Sequence, residues 1–389
     1  MEILFWSFLI LVFYTYIGYG ILLFFLVKLK ELFIKPKVVS KDVELPEVTL
    51  FITAYNEEDV VDAKMHNSLS LDYPKEKLQI VWVTDGSDDR TNEILRQYEY
   101  IEVYYIPDRK GKTAAMNRGM AFIKTPLVIF TDANTMLNKS SIREIVLQFE
   151  DEKVGCVSGE KRIEMDEVDS ASSSGEGFYW RYESKLKELD SRLYTTVGAA
   201  GELFGIRTAL FEPVSDNILL DDFIISMRIV QKGYKIAYCP EAYAIEKGSS
   251  DMKEEEKRKI RIAAGGLQSI WILRGLLNIF RYHILTFQYI SHRVLRWTVT
   301  PIALLLLLPV NIFLCLQNPG TILLWVILML QILFYISSYI GYKLSQKKIK
   351  HKLFFIPYYF LFMNINVFKG FSYLRNKKGS GGWERAKRK

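Results

Sequence analysis

Val48-Thr49-Leu50-Phe51-Ile52-Thr53-Ala54 runs into Tyr55-Asn56-Glu57-Glu58, and this pattern of an apolar run ending in a polar, acidic cluster is repeated twice. Leu78-Gln79-Ile80-Val81-Trp82-Val83 ends in Thr84-Asp85-Gly86-Ser87, and Leu127-Val128-Ile129-Phe130 ends in Thr131-Asp132-Ala133-Asn134. Each run has the length of a buried strand and is too short for an ordinary helix. Helical patterns lie between and after them, around residues 57–69, 91–99 and 112–123. This alternation predicts an α/β fold, a parallel sheet with crossover helices. In such sheets ligands bind beyond the carboxyl ends of the strands, where the acidic clusters fall. A single carboxylate at a strand end is equally well a helix cap or a turn former. Three in succession, with Lys110-Gly111-Lys112 before a helix, predict a site for a divalent cation and phosphate.

Outward from this core, the chain of 389 residues becomes strongly apolar at both ends. Residues 3–27 are long enough to span a bilayer. Lys28, Lys30, Lys35 and Lys37 follow, which places this end of the span in the cytoplasm and the N-terminus outside. A cleaved signal peptide fits poorly, because the apolar stretch is too long and Glu2 is its only early charge. Residues 47–250 read as a soluble α/β domain in which 151–192, polar throughout, is expected to be a loop or mobile cover. Beyond it, Glu202–Ile206 and Tyr234–Ala244 read as strands and Ile224–Val230 as a helix. Residues 267–292 mix Arg274, Arg281 and His283 with Trp271, Phe280 and Phe287, a pattern for helices lying in the membrane interface. Two spans follow, about 298–316 and 321–342. A fourth at 353–372 would carry the basic tail outside, so a re-entrant or interfacial helix is expected there. The resulting division is a membrane helix at 1–33, a catalytic domain at 45–266, interface helices at 267–293, two membrane helices at 294–343, a re-entrant or interface helix at 353–373 and a basic cytoplasmic tail at 374–389.

The net charge of +7 gathers beside the apolar segments, so it reads as membrane-interface charge and not as a nucleic-acid footprint. Three widely separated cysteines, Cys156, Cys239 and Cys315, form neither a disulfide framework nor a metal motif.

The ordered set Pro46–Glu58, Thr84-Asp85-Gly86-Ser87, Gly111-Lys112-Thr113-Ala114-Ala115-Met116-Asn117, Asp132-Ala133-Asn134 and Asp221-Asp222 resembles the family 2 glycosyltransferases, in particular the bacterial membrane synthases of cellulose, hyaluronan and poly-N-acetylglucosamine. The resemblance implies a GT-A nucleotide-sugar-binding domain inserted between transmembrane helices. It implies an inverting, metal-dependent hexosyltransferase that moves a sugar from a UDP-sugar to a growing polysaccharide at the cytoplasmic face of the plasma (inner) membrane. Tyr55, Asn56, Glu57 and Asp85 would then bind the nucleoside, with Thr84 where the family has a first Asp, and Lys112 the nucleotide. Asp132 and Asn134 match Asp-x-Asp and would hold Mg²⁺ or Mn²⁺. Asp222 matches the general base, with Asp221 in support.

Arg258-Lys259-Ile260-Arg261-Ile262 matches Gln-x-x-Arg-Trp, with Arg258 and Arg261 toward the diphosphate. Ile262 replaces the aromatic floor, and Ala263-Ala264-Gly265-Gly266 would leave open space there. Trp383 and the basic residues after it match a C-terminal gating segment. The partners implied are the donor, a polysaccharide or lipid-linked acceptor and the bilayer, with a homo-oligomer or export partner left open. The alternatives are a non-processive enzyme that adds one sugar to a lipid, and a non-catalytic transporter or scaffold.

Overall fold

The structure, a computed structural model, describes residues 1–34, 44–164, 173–248, 252–347, 349 and 351–376, with side chains from 180 onward in the helix that begins at 173. Eight strands form one sheet: β1 (Val48–Ala54), β2 (Leu78–Asp85), β3 (Glu102–Ile106), β4 (Leu127–Asp132), β5 (Thr135–Leu137), β6 (Val154–Ile163), β7 (Leu203–Arg207) and β8 (Lys235–Glu246). Their order is β3-β2-β1-β4-β7-β6-β8-β5.

The first four are parallel, as the alternation predicted. The rest of the sheet is not. β7 runs antiparallel to both β4 and β6, and β5 antiparallel to β8, so the sheet is mixed. The parallel expectation fails where β7 enters between β4 and β6 and runs opposite to both, while β6 and β8 are again parallel to each other. The register aligns Ala54 with Thr84 and Thr53 with Asp132, which brings the three polar clusters to one edge.

All seven residues of β1 are buried, which explains a run with no polar alternation. Phe51, Val81 and Val83 face one apolar cluster, shared with Met116, Met120 and Ile224. Leu50, Ile52 and Trp82 face the other, shared with Val61, Met65 and Ile142. These come from α3 (Val61–Leu69), α5 (Lys112–Met120), α6 (Ser141–Gln148) and α8 (Asp221–Gln231), and α4 (Thr91–Leu95) adds a short turn. A Cβ on Gly119 would strike Phe51 and Val83, so glycine is what lets α5 lie close on β1 and β2.

The expected loop at 151–192 is a strand and a helix. β6 occupies 154–163, and α7 (Ser173–Leu193) is a 21-residue helix. Polar composition misled because one face of α7 buries charged residues, Glu183, Lys187 and Asp190, while Arg181 and Lys185 stay exposed.

The N-terminal helix runs through α1 (Glu2–Phe13), a π turn and α2 (Tyr19–Phe33). After β8, α9 (Met252–Ile272) is followed by short helices, α10 (Ile279–Tyr282), α11 (Ile284–Tyr289) and α12 (Leu295–Trp297), which replace the longer interface helices expected. They break at Asn278, whose side chain caps α10, and at His283, whose φ is +45°. Trp271 and Phe280 remain exposed.

α13 (Val299–Gln317) and α14 (Ile322–Gln346) come next, then α15 (Lys352–Asn376), a single unbroken helix. Among the described residues three helices are long and apolar enough to cross a membrane: Glu2–Phe33, Val299–Gln317 and Ile322–Gln346. Polar bonds tie the bundle together: Thr15 to Thr300 at 3.0 Å, Tyr16 to Asn364 at 2.6 Å, and Asn311 to Gln331 at 3.0 Å. Gly370 of α15 packs on Ala263 and Ala264 of α9. The three cysteines are free and buried.

Candidate active site

The end of β1 turns through Asn56, whose φ is +53°. Its side chain donates to Asp88 Oδ1 at 2.6 Å and accepts from the Asp88 amide at 3.0 Å, which locks the β1 and β2 turns together. Glu57 is buried, and its amide donates to Thr91 Oγ1 at 2.8 Å. The Tyr55 ring lies under the Arg109 guanidinium, 3.8 Å from its centroid. Asp85 accepts the Lys110 and Gly111 amides at 2.9 and 2.5 Å, so it shapes the loop that delivers Lys112. Gly111, at φ +97°, allows that loop to enter α5 directly.

Lys112 Nζ lies 2.6 Å from Asp132 Oδ1. Burial opposes its charge, but Asp132, Asp221 and Asp222 together hold its pKa above the usual lysine value. Four predicted residues therefore converge: Lys112, Asp132, Asp221 and Asp222. Asp222 sits against Gly201, where a Cβ would come within 2.9 Å of its Oδ2. Burial and then Asp221 push the Asp222 pKa up to about 7, against the pull of Lys112 and its own bond to the Phe223 amide. Asp221 is the first residue of α8, after Leu220 at the cap position, and its buried Oδ2 has no hydrogen-bond partner among the described residues.

Asp132 and Asn134 fit a hard cation by their chemistry. Lys112 takes only Oδ1, and among the described residues neither Asp132 Oδ2 nor the Asn134 amide has a hydrogen-bond partner. No three His, Cys, Asp or Glu side chains form a preformed cage among the described residues. Arg258 lies among Glu202, Glu246 and Glu255, at 3.5, 3.9 and 3.8 Å. Arg261, one turn on, is half-buried and has no ion pair among the described residues. The space expected beside Ala263–Gly266 is filled. Leu219 and Leu220 pack on Gly265, and the Trp297 ring lies on Gly266. Only the fold brings Trp297 there, about 30 residues further along the chain. Trp383 lies outside the described residues.

Several residues at the site carry no sequence signal. Lys64 is fully buried under the Asp132 turn, donating to Thr131 Oγ1 at 3.1 Å and the Thr135 carbonyl at 2.7 Å. Burial lowers its pKa to about 7. Glu202, bonded to Lys161 at 2.5 Å, is held below the ordinary carboxylate range by Lys161 and Arg258 despite burial. A charged residue ordinarily reads as a solvated one, whether on a helix as Lys64 is or in a turn before a strand as Glu202 is, which is why these escape a reading of sequence alone.

The description "Glycosyltransferase like family 2" belongs to the family model that matches residues 46–265, more than half of the chain, and the chain belongs to that family. It is 27% identical over 272 residues to "Probable glycosyltransferase YdaM" of Bacillus subtilis (strain 168), covering 63% of this chain and 61% of the relative. It is 27% identical over 235 residues to a poly-beta-1,6-N-acetyl-D-glucosamine synthase of Staphylococcus aureus (strain MSSA476), covering 57% of this chain and 55% of that one. The matches thus span less than two thirds of those relatives. Among solved structures, a mannosyltransferase from Pyrobaculum calidifontis in complex with GDP-Man and Mn²⁺ superposes with TM-score 0.70 at 20% identity, over 97% of this chain and all of that one. The shared fold is GT-A.

Proposed function

We propose that this family 2 chain is a membrane glycosyltransferase that transfers a sugar, with inversion, from a UDP-sugar to a growing polysaccharide at the cytoplasmic face. The observation that carries the reading is Asp222, a carboxyl with a pKa of about 7 beside Lys112, Asp132 and Asp221 at the carboxyl edge of the sheet. A base poised near working pH accepts a hydroxyl proton most usefully.

The turns at Tyr55–Glu57 and Asp85 receive the nucleoside, and Lys112 with Arg261 neutralises the diphosphate. Asp132 and Asn134 would hold Mg²⁺ or Mn²⁺, which offsets charge on the departing diphosphate. Asp222 takes the proton of the acceptor hydroxyl as that oxygen attacks the anomeric carbon from the face opposite the leaving group. Lys64, bonded to both ends of the Asp132 turn, keeps that turn in place. The lysine-rich ends of the spans put the catalytic domain in the cytoplasm, and Trp271 and Phe280 lie at headgroup depth.

A donor screen over UDP-sugars with Mg²⁺ and with Mn²⁺ tests the reading. Nucleotide-sugar hydrolysis and a polymeric product are expected, and metal-independent turnover would overturn it. The Trp297 ring closing the space over Gly266 favours a second reading, addition of a single sugar to a lipid. Product length separates the two.

A further inference from the structure

One edge of the sheet is not used by the reaction. β4, β6 and β8 run the same way, so the ends where β6 and β8 begin, at Val154 and Lys235, lie opposite the end of β4 that carries Asp132. A cavity of about 360 Å³ opens there, between the end of α2, the end of α7 and the turn from α6 to β6. That volume suits a small ligand.

The charges that line the cavity are sorted by element. α2, α7 and β8 contribute Lys30, Arg192 and Lys235, with Glu31 among them, and the turn from α6 to β6 contributes Glu150 and Asp151. Most of these are already engaged. Lys30 Nζ donates to the Arg192 and Leu193 carbonyls at 2.7 and 2.9 Å, which closes the end of α7. Arg192 pairs with Glu31 and, at 3.1 Å, with Glu188. Asp151 Oδ1 accepts the Lys153 amide at 3.1 Å.

Two are not engaged. The Glu150 carboxylate has no hydrogen bond or ion pair among the described residues, and its Oε1 is buried. Lys235 is half-buried. Its ammonium stands 5.1 Å from the centre of the Tyr194 ring and makes no hydrogen bond or ion pair among the described residues. These two side chains line one cavity, carry opposite charges and do not pair with each other. A carboxylate oxygen shut off from water and without a donor is costly, and a ligand that brings a donor removes the cost.

We propose that this cavity binds a small zwitterion, a primary ammonium joined to a phosphate by a short linker, with the ammonium on Glu150 and the phosphate on Lys235. An ammonium offers the carboxylate three donors. The three cations on the other side, against Glu31 alone, suit an anion with several oxygens. Two sources carry this chemistry. One is the headgroup of an ethanolamine phospholipid, with its glycerol on Ile34, which lines the cavity and is exposed like Leu32 and Phe33 before it. The other is a soluble aminoalkyl phosphate. The site does not depend on the glycosyltransferase reading.

The test uses the full chain in detergent, titrated by native mass spectrometry with dioleoyl phosphatidylethanolamine, phosphatidylcholine and phosphatidylglycerol, and with glycerophosphoethanolamine, which has the headgroup and no acyl chains. The wild type is expected to bind phosphatidylethanolamine with a Kd about tenfold or more below that of phosphatidylcholine, whose ammonium has no N–H, and of phosphatidylglycerol, which has no ammonium. Glu150→Gln should raise the phosphatidylethanolamine Kd by about tenfold, which abolishes the preference, and Lys235→Met should raise the Kd of all three lipids by about tenfold. Glu150→Asp and Lys235→Arg should recover part of each loss. Without lipid, both variants should melt at or above the wild-type temperature, and phosphatidylethanolamine should raise the melting temperature of the wild type alone. Glycerophosphoethanolamine binding as tightly as the lipid assigns the site to a soluble compound, and binding about tenfold weaker or more assigns it to the headgroup of a lipid. Equal binding of the three lipids by the wild type, or phosphatidylethanolamine binding unchanged in both Glu150→Gln and Lys235→Met, overturns the inference. Variants that melt lower without lipid and bind it as the wild type does give the two residues a supporting role and overturn it too.

Discussion

The donor edge of the sheet and the membrane-facing flank of the same domain are wired over different lengths of chain. At the donor edge Lys112 meets Asp132 at a separation of 20 residues, Asp85 takes amides 25 and 26 residues on, and Asn56 meets Asp88 at 32. On the flank Glu183 meets His292 and Arg296 at 109 and 113, and Asp190 meets Tyr19 at 171. The first set closes over short stretches of chain and leaves Asp132 and Asp88 partly open to solvent, although Asp85 is buried. The second forms only when α7, the N-terminal helix and the segment before α13 have packed, and it is fully desolvated. The difference separates two roles. On the proposed reading the donor-edge charges act on a ligand, whereas Glu183 and Asp190 on the flank join α7 to the N-terminal helix and to the segment before α13.

Substitutions should divide along the same line. Asp132→Ala has the largest expected effect: turnover falls below detection in a donor-hydrolysis assay while the melting temperature holds. It removes the carboxylate that pairs with Lys112 and the only charged member of the cation pair.

Asp222→Asn should lower transfer by about two to four decades, the usual range for a lost general base, with donor KM little changed. Its pH dependence is specific. The native carboxyl is raised from its ordinary 3.8 to about 7, so it is protonated and inactive below that pH. The wild-type rate should therefore fall as pH drops through about 7, and the Asn variant should lack that limb. The linkage sign is the reverse of a salt-bridged Asp. Between about 4 and 7 the folded state binds more protons, so stability falls as pH rises, and Asp222→Asn should be more stable than wild type at pH 8. Activity at near wild-type rate in Asp222→Asn, with Asp221→Asn dead, would reverse the assignment of the two.

Glu183→Gln is the corresponding break on the flank. It leaves His292, Arg293 and Arg296 short of a buried counter-charge, and a loss of about 3–5 kcal/mol is expected in chemical denaturation. Per folded molecule, donor hydrolysis should survive; its complete loss would mean the two regions are not separable. Gly266→Ala presses a methyl group on the Trp297 ring and should cost about 1–3 kcal/mol, read the same way. Asn134→Asp has the smallest expected effect, a metal half-saturation point lowered severalfold by a second charge at the site.

The four parallel strands show why part of the site was legible. β1 and β4 are buried on both faces, so their sequence is an unbroken apolar run, and register alone carries Asp85 and Asp132 to one edge. β3 and β5 gave no such signal. One is an edge strand with exposed residues and the other has three residues.

The sequence by itself determined the parallel half of the fold, three apolar helices, and the residues Lys112, Asp132, Asp221 and Asp222 that meet at the sheet edge. Periodicity marks the strands, and the resemblance to a known family picks out the four residues; that Asp221 and Asp222 come to Lys112 across about 110 residues is the work of the fold. Tertiary structure alone decided that α7 buries Glu183, Lys187 and Asp190, that Trp297 closes over Gly266, and that Lys64 lies under the Asp132 turn. The physical reason is burial: whether a lysine is a solvated surface group or a desolvated cation depends on what packs over it. That covering comes from elements about 70 to 170 residues away, which no local pattern encodes.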